Sequence, residues 1–89
     1  MQITVLNAKM DYSKENGYVG QVEFSVDGHS YPYEITLHSK YKKDWTYGLH
    51  FLKESGKEED ISALEEELEE SDEVFDLLVE AAMQTLASE

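Results

Sequence analysis

The sequence has no cysteine and no arginine, and only one proline and one tryptophan. Without cysteine there is no disulfide scaffold, no thiolate nucleophile and no Cys-ligated zinc site. No apolar stretch approaches the ~18 residues that a membrane-spanning helix needs, and the first residues lack the apolar core of a secretory signal. A soluble, cytoplasmic protein with no membrane association is the expectation. Positive charge is also scarce: 7 lysines face 20 Asp and Glu, a formal net charge of −13. Such a chain repels polyanions, so direct nucleic-acid binding is not expected. Apolar residues at 40% and aromatics at 11% are too abundant for a disordered polyanion. The 89 residues fit a single domain, 1–89, with no Pro- or Gly-rich linker and no internal repeat.

The charge is unevenly placed. Residues 1–53 carry six lysines and six acids, while residues 54–89 carry one lysine and fourteen acids, the entire excess of −13. Nine of the ten aromatic residues lie in the first 53. The spacing of apolar residues changes at the same boundary, from two to about 3.6, which is strand giving way to helix. Neither half is large enough to bury a good core alone.

In the strand half, Tyr18, Val22, Phe24 and Val26 alternate with Val19, Gln21, Glu23 and Ser25. Asp27-Gly28 follows, a pair suited to a two-residue type I′ turn. Tyr31, Tyr33, Ile35 and Leu37 alternate next, then Trp45, Tyr47, Leu49 and Phe51. A tight hairpin at Asp27-Gly28 sets Phe24 opposite Tyr31 and Val22 opposite Tyr33. A second hairpin through Ser39–Lys43 sets Leu37 opposite Trp45 and Tyr31 opposite Phe51, with the ladder weakened around Pro32 and His50. The first strand, about Gln2 to Met10, offers Ile3 and Val5 to one face and Leu6, Ala8 and Met10 to the other, a conflict that either a β-bulge between them or burial on both faces would reconcile. Asn16-Gly17 marks the turn after it.

In the acidic half, Ser55 and Glu58 have the spacing of a capping box, and Ser71 before Asp72 and Glu73 resembles a second N-cap. Ile61, Leu64 and Leu68 form one narrow helical stripe. Val74, Phe75, Leu78, Val79, Ala82 and Leu86 form a broader one, with Phe75 and Leu78 spaced to meet the sheet. Two helices are expected, roughly 57–69 and 72–87. One continuous helix would be about 45 Å long, far beyond strands of about 27 Å, unless a second subunit covered the overhang. The fold class is therefore α+β: a four-stranded antiparallel β-meander followed by two C-terminal α-helices packed on one face of the sheet.

Few residues point to chemistry. His38 and Asp44 would face each other across the second hairpin, but a cross-strand ion pair is a simpler reading than a metal site. His29 and His50 read as surface residues. No serine sits in a nucleophile elbow, no Gly-rich phosphate loop is present, and the acids do not follow the calcium-loop pattern. No catalytic residue, cofactor or metal ligand is assigned, and the protein is not expected to be an enzyme. Lys40-Tyr41-Lys42-Lys43 reads as a solvated hairpin tip, and the dense tyrosines as core with hydroxyls at the rim rather than as a ligand groove.

The acidic helices are the distinctive feature. Glu65/Glu69 and Glu66/Glu70 are like-charged i,i+4 pairs, each destabilising by roughly 0.2–0.5 kcal/mol, and Lys57 is the only lysine in this half to offset them. A helix selected only for solubility more usually interleaves lysine. The sequence thus points to a non-enzymatic interaction module, with Glu65, Glu66, Glu69, Glu70 and Glu73 as the partner-binding residues and a basic protein as the partner. Inhibition of a basic protein by nucleic-acid mimicry is the alternative, and a small enzyme or metal binder ranks behind both. Two open sheet edges and the helical stripe also admit a homodimer.

Overall fold

The computed structural model describes residues 1–87. Strands β1 (Ile3–Ser13), β2 (Gly17–Val26), β3 (Tyr33–Ser39) and β4 (Thr46–Phe51) are followed by helices α1 (Glu58–Glu70) and α2 (Asp72–Ala87). The strands form one antiparallel sheet in the order β1-β2-β3-β4, the expected meander. Alternation makes the sheet two-faced. Val22, Phe24, Val26, Tyr33, Ile35 and Leu37 are buried beneath the helices. Lys9, Asp11, His38, Thr46 and His50 on the other face are exposed, with Gln21, Glu23 and Glu34 part-covered.

The bulge in β1 is present. The register with β2 shifts between Val5 and Asn7, so that Val5 lies opposite Phe24 and Ala8 opposite Val22 on one face. Leu6 is the extra residue and is 54% exposed, not part of the buried set. The turn at Asn16 is closed by its N–H donating to Ser13 Oγ at 3.0 Å.

The two later hairpins keep the expected faces but not the expected register. Phe24 pairs with Tyr33 and Val22 with Ile35, and Tyr33 pairs with Phe51 and Leu37 with Tyr47. Both ladders are displaced by two residues from the tight-hairpin registers. A strand repeats every two residues, so a slip of two leaves every side chain on its own face. Two local features select the observed register. The His29 N–H donates to the Val26 carbonyl at 3.0 Å, so a turn does form at Asp27-Gly28. However, only Gly28 has a positive φ, 89°, the sign pattern of a type II rather than a type I′ turn. A type II turn splays the strands, and His29 to Pro32 leave the ladder before β3 begins. Pro32, which has no N–H, then serves only as an acceptor: its carbonyl takes the Leu52 N–H at 3.1 Å. The ladder is not weakened at His50, which pairs with Glu34.

The buried tyrosine is consequently Tyr33, with Tyr31 39% exposed. Phe24, Tyr33 and Phe51 stack across three strands, with ring centroids 5.8 and 5.2 Å apart. The tyrosines divide: Tyr18 and Tyr47 are half-buried, while Tyr12 and Tyr41 are exposed.

The helices form two elements broken at Ser71, whose extended backbone (φ −117°, ψ 113°) caps α1 through its N–H to the Glu67 carbonyl. The capping box at Ser55 does not form. Lys57 occupies the N-cap without a side-chain bond, and its carbonyl accepts from Asp60 and Ile61 at 3.1 and 3.3 Å. Gly56, just before the cap, lies so close to β4 that a Cβ there would stand 2.8 Å from Phe51 Cε1. Glu58, Glu59 and Asp60 in the first turn meet the positive end of the helix dipole in place of the cap. α2 lies mainly over β1 and β2, and α1 reaches β4. Leu64, Leu68, Val74, Leu78 and Ala82 are the buried helical residues. Phe75 is half-buried against Tyr47, with centroids 5.6 Å apart, rather than sharing the fully buried position of Leu78.

Leu78 has no exposed surface, whereas its neighbour Leu77 is 45% exposed. Leu78→Ala should lower the unfolding free energy by about 2–5 kcal/mol, and Leu77→Ala by less than about 0.5 kcal/mol. Urea denaturation of the two variants checks this; comparable losses would contradict the packing.

Candidate functional site

The carboxylates sit where helical geometry puts them. α1 buries Leu64 and Leu68, so Glu65, Glu66, Glu69 and Glu70 fall on exposed positions. Glu65 and Glu69 lie toward β4, near enough to act on the Tyr47 phenol. Glu66 and Glu70 are each about 100° further round the helix. Glu73, in the first turn of α2, lines a groove against β1, the opposite edge strand. The structure therefore joins the α1 glutamates along one helix and places Glu73 with a different group.

That group escaped the sequence reading. α2 presents Glu73, Asp76, Leu77, Glu80 and Ala81 toward Val5 and Ala8 of β1. They line an open groove of about 760 Å³. The spacing of Glu73, Asp76 and Glu80 marks a single helix face and was available in the sequence. Which strand that face would overhang was not, because it depends on how α2 crosses the sheet.

The acids are poorly compensated. Neither helix contains a basic residue. Among the described residues, the lysine–carboxylate pair is Lys9–Asp11 at 3.6 Å, and His50 Nε2 lies 3.8 Å from a Glu34 carboxylate oxygen, both in the sheet. Glu69 and Glu70 also occupy the last turn of α1, where the helix dipole favours cations.

The other candidate residues are engaged structurally. His38 donates from Nε2 to the Asn16 carbonyl at 2.8 Å, tying β3 to the first turn instead of facing Asp44. His29 Nδ1 lies 2.8 Å from the Tyr33 hydroxyl and gives that buried phenol its partner. Lys42 Nζ stands 5.5 Å from the Tyr18 ring centroid, so one lysine of the basic tip packs on an aromatic ring. Among the described residues no group of three His, Asp or Glu side chains converges as a metal site. Comparison with protein-family models, with curated proteins and with solved structures finds no match.

Two phenols register the helices' field. Burial, and then the Asp60 carboxylate, raises the Tyr33 pKa above its ordinary value. Burial, followed by Glu69 and Glu65, does the same for Tyr47. In each case the folded state holds the proton more tightly than the unfolded chain. The associated stability is intact below the unfolded phenol pKa of about 10 and is lost as pH rises through the folded values. Urea midpoints should fall more steeply above pH ~10 in the wild type than in a Tyr33→Phe/Tyr47→Phe double variant. Equal slopes would contradict the assignment.

Proposed function

We propose that this chain is a cytoplasmic, non-enzymatic interaction module whose acidic helical surface binds a basic protein. One observation carries the reading: α1 holds eight carboxylates and α2 four, with no lysine or arginine in either helix. Because these carboxylates repel one another, both helices are less stable than mixed-charge equivalents would be. A cationic partner relieves that repulsion on binding, so its affinity is coupled to a strain the free protein carries. The partner's lysines and arginines would meet Glu65, Glu66, Glu69 and Glu70 along α1, and Glu73 separately on the α2 face toward β1; all five are exposed. Long-range attraction to a net charge of −13 would speed the encounter.

Glu70→Lys tests both halves of this statement. It converts Glu66/Glu70 into a favourable Glu-to-Lys i,i+4 pair and sets a cation at the α1 C-terminus. The free protein should gain about 1 kcal/mol at low salt, and the gain should shrink as salt is added. Affinity for octalysine, measured by calorimetry, should fall in the same variant. Unchanged octalysine affinity together with unchanged stability would reduce the surface to a solubilising one.

A further inference from the structure

The groove between β1 and α2 combines exposed apolar surface with charge of one sign. Val5 occupies a core-face position opposite Phe24, which is fully buried. Val5 itself is nevertheless 37% exposed, because α2 leaves it uncovered. Leu77 faces the same space and is 45% exposed. Ala8 and Ala81 are short side chains in the lining between α2 and the strand. Glu73, Asp76 and Glu80 lie along this apolar strip, and none of them pairs with a cation among the described residues.

Resting on the function proposed above, we infer that this groove seats an amphipathic basic helix of the partner, with its apolar stripe on Val5 and Leu77 and its lysines or arginines on Glu73, Asp76 and Glu80. Three features choose this occupant. A second copy of the chain would bring the same acidic rim and a further charge of −13, so self-docking here is repulsive. A strand added to β1 would meet the register shift between Val5 and Asn7, and a bulge on an edge strand blocks continuous pairing. The lining face of α2 runs from Glu73 to Gln84, about three helical turns, a length that suits an interhelical contact in which small residues let the axes approach.

The test titrates the full ¹⁵N-labelled chain with two synthetic Leu/Lys peptides of identical composition, one with leucines at helical spacing and one scrambled. The helical-period peptide should shift the amides of Val5, Ala8, Leu77 and Ala81 and bind more tightly than the scramble. Leu77→Gln should weaken it about tenfold, the equivalent of losing roughly 1.4 kcal/mol of apolar contact, with the melting temperature unchanged. Val5→Thr supplies the same test from the strand side. If both peptides bind equally, shift the α1 glutamates and ignore both substitutions, the groove assignment is wrong while the acidic-surface reading stands. If neither peptide shifts any amide at millimolar concentration, both readings fail.

Discussion

The apolar face of the sheet is the constraint on which the rest of this structure depends. Val22, Phe24, Tyr33, Ile35 and Leu37 lie on one side of the two central strands, β2 and β3, and each is at most 1% exposed. Side chains of this size gain roughly 1.5–3 kcal/mol each when taken out of water, and a four-stranded sheet without a cover leaves them wet. The cover comes from Leu64, Leu68, Val74, Leu78 and Ala82, all of them on the acidic helices. Strand half and helical half therefore complete one core, and the boundary in composition is not a boundary in folding energetics.

That arrangement explains how helices so heavily charged persist. Isolated helices of 13 and 16 residues are marginal in water even with favourable sequences. Here each also carries like-charged neighbours and no basic residue. Tertiary burial supplies what local propensity does not. The support is unequal. α2 anchors through Val74, Leu78 and Ala82, with Phe75, Val79, Met83 and Leu86 packed beside them. α1 has two buried leucines, with Ile61 partly buried. The more acidic helix is thus the less firmly held, which is the physical basis of the proposed coupling to a cationic partner.

Much of the fold was legible because period and parity are local properties. Alternation identified the strands and the buried face, and Ser71 marked the helix break; the clash between Ile3/Val5 and Leu6/Ala8/Met10 allowed either a bulge or burial on both faces, and the bulge formed with Leu6 left exposed. Register was not legible, since hydrophobic parity is blind to a slip of two and the choice rested on the turn type at Gly28 and on the acceptor-only role of Pro32. Ser55 did not serve as the cap, because α1 starts behind Lys57 instead. The glutamates of α1 were readable as exposed from their place opposite Leu64 and Leu68. The groove was not, because Val5 and Leu77 are far apart in sequence and meet through the crossing of α2 over β1.

The central claim is that α1 is held on the sheet against the repulsion of its own carboxylates. Native-state hydrogen exchange resolved by residue tests it most directly. At low salt, amides of α1 should open at a lower free energy than those of β2 and β3, and added salt should raise α1 protection more than that of the strands. Equal protection in α1 and the central strands, indifferent to salt, would contradict the account.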